Sequence, residues 1–454
     1  MLLPSGNTQQ LDAIEGIPGF PMASLPFEAG ASILATFSQN PATTVVWSPS
    51  LMPFALGESG IPSSFSSLGL DGDLGSKPDL AAPGGSILST YPLARGGYKV
   101  VSGTSMATPY IAGSYALYLQ AKGRKPTPSV IRTVFKNTAQ IWKNATTGVY
   151  GSAAKQGAGL INTLNAVMTS SSITPDHIDL LDTVHFRGSI ELTINNMGKQ
   201  AETYTLSHFP AEALNSYPTI KKFPLATPLS EKADAVAQFN PASVVVAAGQ
   251  SAKVTVTFQE PAQGNPANFI LYSGYVVATP ATQGSSPAHV PYTGIKGDIS
   301  QVPIMDTDNG FPALARLQGN GKGLLIPPTT VYNFDLRREL PIVLTRPGSH
   351  TPDAQIRVHD MATKQFVGYL VDKDSTGAFG EQGRIQNLDA GGNLATHPWI
   401  WRGYVVTEKS ETATPTRLGP GMYTIVVASQ RKLTKGQYPQ DYEVFEVGSI
   451  GLSS

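Results

Sequence analysis

The sequence predicts an α/β unit, a parallel sheet with helices, followed by two all-β, sandwich-like domains. Three observations carry this. Between residues 46 and 170, strand-like apolar runs alternate with runs of helical period, the pattern of a layered α/β structure. After Thr169-Ser170-Ser171-Ser172 the texture changes to short period-two runs separated by turn residues, which reads as antiparallel sandwich. Composition agrees: with 45 Gly, 36 Pro and only 14% charged residues, the chain suits strands and loops more than helices.

Residues 1–45 hold short apolar pieces, at 14–21 and 28–37, punctuated by Gly and Pro, so strands and turns are expected there. Residues 43–47 read as a strand entering the α/β unit. Residues 99–101 form another strand, followed by a tight Gly103-Thr104-Ser105 turn and an apolar helical run at 111–119. Pro109 is expected in the first turn of that helix, where a missing N–H costs nothing. The small residues Ala107, Ala112, Gly113, Ser114 and Ala116 suggest a helix packed on several sides. A second helix is expected from Pro128, with Ser129 beside it and Val130, Ile131, Val134 and Phe135 on its apolar face. Asn144-Ala145-Thr146 is a glycosylation sequon, short enough to arise by chance.

In the β-rich part, residues 185–194 alternate with period two towards their end, 195–199 make a turn and 203–206 read as the returning strand. Strands follow at 243–246 and 253–258, separated by a turn at 247–250, and 274–278 is expected to be the last strand of this domain. Beyond residue 300, strands are expected at 340–344, 355–358, 366–371 and in the run that follows Gly419-Pro420-Gly421. Asp306-Thr307-Asp308-Asn309-Gly310 resembles the start of a calcium loop in composition only. Counting from Asp306, its sixth and twelfth positions are Phe311 and Leu317, where Gly and Glu are required. Trp399-Ile400-Trp401 could serve a sugar surface, and equally core and edge packing.

Charge is balanced, 32 Lys+Arg against 32 Asp+Glu, so nothing favours nucleic acid as a partner. The absence of cysteine excludes disulfides and thiolate metal sites. No stretch approaches the ~20 apolar residues of a membrane span, and the first residues lack the basic start and apolar core of a signal peptide.

Ser105 is the candidate site. A serine at a helix start has two uses: its side chain can cap free N–H groups, or its oxygen can attack, with its own N–H and the positive helix end stabilising an oxyanion. The wider sequence decides between them. Gly103-Thr104-Ser105-Met106-Ala107-Thr108-Pro109 resembles the active-serine signature of the subtilisin-like serine peptidases (subtilases). So do Phe65-Ser66-Ser67-Leu68-Gly69, the run Lys77-Pro78-Asp79-Leu80-Ala81-Ala82-Pro83-Gly84-Gly85 and Gln156-Gly157-Ala158-Gly159-Leu160-Ile161-Asn162, all in the family's order. The resemblance makes Ser105 the catalytic nucleophile; no cofactor is expected, no residue is assigned to a metal, and the sequence does not show whether calcium stabilises the parent protein. It implies four units: 1–45 as the tail of a protease-associated insert, 46–170 as the C-terminal part of a catalytic domain, 176–298 as a fibronectin-III-like sandwich and 300–454 as a further β-rich domain.

A serine nucleophile needs a base, a carboxylate to orient it and oxyanion donors. In this family Asp and His precede Ser in the chain. No histidine precedes Ser105: the seven are His177, His185, His208, His289, His350, His359 and His397, read as surface or sandwich residues. Asp12, Asp71, Asp73 and Asp79 lie upstream, none in the family's setting, and Asn40 does not match the oxyanion Asn. The expectation is therefore the C-terminal portion of a larger, extracellular subtilase acting on polypeptides, with the triad Asp and His missing from this chain. The alternative is a catalytically inactive fragment whose sandwiches act in binding or adhesion.

Overall fold

The computed structural model describes residues 2–4, 23–25, 27–44, 60–217, 225, 227–317, 323–371, 379–382, 396–410 and 412–453. The strands expected at 14–21 and 45–47 lie outside these residues, as does Asp12; Thr43 and Thr44 are not in a strand. Where strands and turns were expected at 28–37, the chain forms helix α1, Phe27–Gln39. Ala29, Ala31, Leu34 and Ala35 are strong helix formers, and the first proline after them is Pro41.

The regular structure of the following segment is mainly helical. Its strands among the described residues, Ile87–Thr90 and Tyr98–Val101, pair antiparallel as a ribbon. The expected parallel sheet is not found among the described residues of 60–170. The chain between the two strands is short, and Gly96 and Gly97, at φ 102° and 77°, let it double back directly.

Helix α2, Thr104–Ala121, carries Pro109 in its interior instead of its first turn. Its small face did not pack as expected. Ser114 and Tyr118 are buried and Ile111, Tyr115 and Leu119 pack into a shared core, whereas Ala112, Gly113 and Ala116 are exposed. Helix α3, Pro128–Thr138, starts where Pro128 predicts, with the Thr127 side chain accepting from the Val130 amide at 3.4 Å. Ile131, Val134 and Phe135 are buried, but Val130 is 45% exposed. The ring of Phe135 meets Tyr115 at 4.8 Å and Tyr118 at 5.5 Å. Two short helices complete the segment, α4 at Ala153–Gln156 and α5 at Thr163–Met168, the latter capped by Asn162.

A β-sandwich follows. Its smaller sheet runs Val236–Asn240, Ser251–Gln259, Ser189–Asn196, Ser171–Thr174; the larger runs Ser243–Val246, Glu202–Asn215, Ile270–Pro280, Ala288–Lys296, Ile178–Asp182. The Glu202–Asn215 strand does not return beside Ser189–Asn196; it crosses to the other sheet. The crossing brings Tyr204 and Leu206 opposite Leu192 and Ile194 in one buried core, while Phe209 and Ala211 of the same strand pack in a second cluster with Ala153 of the helical segment. The last strand is Ala288–Lys296 and not 274–278.

The C-terminal domain also has two sheets around one core. Leu314, Ile326 and Val343 from one pack with Ile356, Val358, Ile425, Val427 and Ile450 from the other. Trp401 is 1% exposed and donates to the Tyr404 carbonyl at 2.7 Å, while Trp399 donates to Thr345 Oγ1 at 3.1 Å. Both serve packing.

Candidate active site

The structure separates the two uses of Ser105. The N-cap of α2 is Gly103, in extended backbone at φ 163°, and no side chain caps this helix. Ser105 is the second helical residue and is exposed. Its hydroxyl therefore stands at the positive end of an apolar helix, beside the Met106 amide, which donates to the Gly103 carbonyl at 3.0 Å.

Two contacts fix the turn before it. The Gly103 amide donates to the Gly84 carbonyl at 2.8 Å, and the Ser86 amide donates to Ser102 Oγ, also at 2.8 Å. Gly84 has to be glycine: a Cβ there would lie 2.8 Å from the Gly103 oxygen and 3.2 Å from the Ala107 Cβ. Within α2, Thr108 Oγ1 donates to the Thr104 carbonyl at 3.0 Å, while Pro109 has no N–H to offer the carbonyl of Ser105. Beside the turn lies a cleft of about 550 Å³, lined among others by Ile61, Phe65, Leu80, Gly84, Thr104 and Ile111. Its walls are mainly apolar; Lys155, on its rim, is paired with Glu212 at 2.8 Å.

The histidines sit elsewhere. His185 is paired with Asp182 at 2.7 Å, His208 with Tyr292 at 2.8 Å, and His359 with the Lys364 carbonyl at 3.2 Å. His289 meets the Ala158 carbonyl at 2.7 Å, and burial lowers its pKa to about 4, so it stays neutral. Three of the seven reach back to the helical segment: His289 through Ala158, His350 against Gly72, and His177 through a charge cluster. Reading them as surface or sandwich residues missed that role. Asp71 spends its carboxylate on the Asp73 and Gly75 amides, and Asn40 on the Ala42 amide.

Sequence reasoning missed the buried Lys136, which lies between Asp79 and Asp176. A lysine one turn beyond Arg132 and directly after Phe135 was the available signal. At the Asp-rich loop, the carboxylate of Asp306 accepts from Arg346 Nε at 2.9 Å and from the Asn309 side-chain amide. Among the described residues no His, Cys, Asp and Glu group is placed to hold a metal.

Ser105 thus stands exposed at a helix start, beside a glycine loop and an apolar cleft, with two β-sandwiches following in the chain. Comparison with known proteins adds a family resemblance: part of the chain matches the subtilases, a family of serine-type peptidases. Residues 30–159 match the subtilase family and residues 178–293 match an Fn3-like domain. A PII-type proteinase of Lacticaseibacillus paracasei is 28% identical over 334 residues, covering 67% of this chain and 17% of the relative. A PI-type proteinase of Lactococcus lactis subsp. cremoris is 30% identical over 275 residues, covering 55% and 14%. A C5a peptidase of Streptococcus pyogenes is 28% identical over 296 residues, covering 60% and 24%. The chain thus spans between 14% and 24% of the length of these relatives. Among solved structures, the fimbriae chaperone CfaA aligns at a TM-score of 0.23 and 10% identity, over 61% of this chain and 98% of its own, too slight a likeness to carry an argument.

Proposed function

We propose that Ser105 is the nucleophile of a subtilisin-like serine endopeptidase acting on polypeptides outside the cell. The observation that carries this reading is the position of Ser105: exposed at the start of α2, in the Gly-Thr-Ser-Met-Ala-Thr-Pro turn, and not used as a helix cap. On this reading Ser105 Oγ attacks the scissile carbonyl carbon while a base accepts the hydroxyl proton. The base then delivers that proton to the leaving amine as the C–N bond breaks, and water releases the acyl group by the same steps in reverse order. The Ser105 amide and the N-terminus of α2 stabilise the oxyanion. The base and its orienting carboxylate come from polypeptide outside these 454 residues. The domain limits follow the same reading: 1–45 from a protease-associated insert, 46–170 catalytic, 176–298 and 300–454 as β-modules.

The test is labelling of the native protein with a serine-directed phosphonate, with the Ser105→Ala variant as control. A second reading, a binding or adhesion protein without catalysis, is favoured by one observation: every histidine follows Ser105 in sequence, and none lines the cleft. Detection of the native protein with an antibody to the C-terminal domain separates the two. A species much larger than these 454 residues supports the peptidase, and one of their size supports the binding protein.

A further inference from the structure

The helical segment meets the first sandwich through a cluster of charges. Lys136, on α3 and 1% exposed, places Nζ 3.1 Å from Asp79 and 3.4 Å from Asp176. Asp176 also binds Arg132 Nε at 2.8 Å and His177 Nδ1 at 2.5 Å. His177 turns Nε2 toward Asp179 at 3.4 Å, and Asp179 accepts from the amide and hydroxyl of Ser76 at 2.9 and 2.6 Å. Lys77 closes the circuit on Asp79 at 2.5 Å. A buried ammonium is costly unless paired, so these partners hold one another in place.

The ends of the cluster lead to the serine turn. The Asp79 carbonyl accepts from the Ala158 amide at 3.1 Å, the Ala81 amide donates to Gly159 at 2.9 Å, and the same strand-like stretch ends at Gly84, which grips Gly103. From the other side Tyr115, on the same helix as Ser105, packs on Phe135. Burial and the nearby charges of Asp79 and Asp176 raise the pKa of its hydroxyl against the opposing effect of Arg132. The cluster thus touches both segments that frame Ser105.

We propose that Lys136 is a positioning residue for Ser105: through Asp79 and Asp176 it ties the Gly84–Gly103 clamp to the Fn3-like domain, so that the geometry of the serine turn depends on the sandwich. Its catalytic meaning rests on Ser105 being the nucleophile; its geometric content does not. The charges around His177 are Asp176 and Asp179 on its own segment, Arg132 and Lys136 on α3, Lys77 and Asp79 on the loop, with Tyr115 behind them on α2. Loss of the His177 proton removes a positive charge from beside two carboxylates and slackens the cluster.

Hydrogen–deuterium exchange on the full chain tests this. In Lys136→Met, exchange at residues 81–84 and 103–106 is expected to accelerate about tenfold, with the sandwich core at 192–194 unchanged, and Lys136→Arg is expected to restore most of the protection. Unchanged protection at 103–106, equal acceleration everywhere, or an Arg variant no better than Met would overturn the proposal. If Lys136→Met does not fold, His177→Gln carries the test. Protection at 103–106 in the parent chain, corrected for intrinsic rates, should fall between about pH 7 and about pH 10, and the variant should abolish that dependence. A pH dependence that persists in the variant overturns the proposal. None of these readouts needs catalysis. Altered exchange with an unlabelled Ser105 would sink the nucleophile alone, and a labelled Ser105 with unaltered exchange would sink the positioning role alone.

Discussion

Pro109 stands one helical turn after Ser105, so no N–H exists at the position that would close on the Ser105 carbonyl. The helix is interrupted in its bonding at the residue expected to do chemistry. An interior proline costs a helix about 3 kcal/mol relative to alanine. Pro109→Ala is therefore expected to hold or raise the unfolding temperature while slowing phosphonate labelling of Ser105, because the new hydrogen bond stiffens the turn. A variant that loses stability would show that Pro109 serves packing alone.

Gly84→Ala should act in the opposite sense. The added Cβ collides with the Gly103 carbonyl, which belongs to the clamp itself and has no flexible side chain to give way. A cost of about 1–3 kcal/mol is expected, with faster amide exchange at 103–106. A tolerated substitution with unchanged exchange would contradict the described packing of the turn.

The joint between α3 and the sandwich offers a stability test. Asn137 is fully buried, donates to the His289 carbonyl at 2.9 Å and accepts from the Ile173 amide at 2.7 Å. Asn137→Ala strands both groups, so a loss of about 2–4 kcal/mol is expected in denaturant unfolding. A loss below ~1 kcal/mol would mean the two elements do not meet as described.

Stability should also follow pH through the charge cluster. Hydrogen bonds to Asp176 and Asp179 raise the pKa of His177 from 6.5 to about 9, outweighing burial. A raised value means that its contribution is complete below 6.5 and is lost as pH rises through about 9. Burial pushes Asp176 up, but His177, Lys136 and Arg132 outweigh it and hold the carboxyl well below 3.8, so its contribution is present above that value and lost as pH falls further. The His177 contribution is about 1–2 kcal/mol after solvent screening. Urea unfolding across the alkaline range should show it, and His177→Gln should flatten it; a profile identical in both would refute the assignment.

What the sequence disclosed was local. The serine turn, the proline at the start of α3 and the alternating strands around residues 190 and 254 each carry their signal within a few residues. Ala288–Lys296 went unread because it is buried on both faces, His289 against the helical segment and Val290 in the sandwich core, so its pattern lacks alternation; Pro291 hid it further. The crossing of Glu202–Asn215 to the second sheet depends on which core its apolar face meets, and that is not written in the turn before it. For the same reason Ser105 was legible and Lys136 was not: the serine turn is a contiguous motif, whereas the cluster joins residues from Ser76 to Asp179 through the fold.

The central claim is that Ser105 is a nucleophile. The direct measurement is phosphonate labelling of the native, full-length protein, with the modified peptide identified by mass spectrometry in parent and Ser105→Ala forms. A single label is expected on the peptide containing Ser105, lost in the variant. A label that persists in the variant on another residue, or a native protein that cleaves polypeptides with Ser105 unmodified, would contradict it.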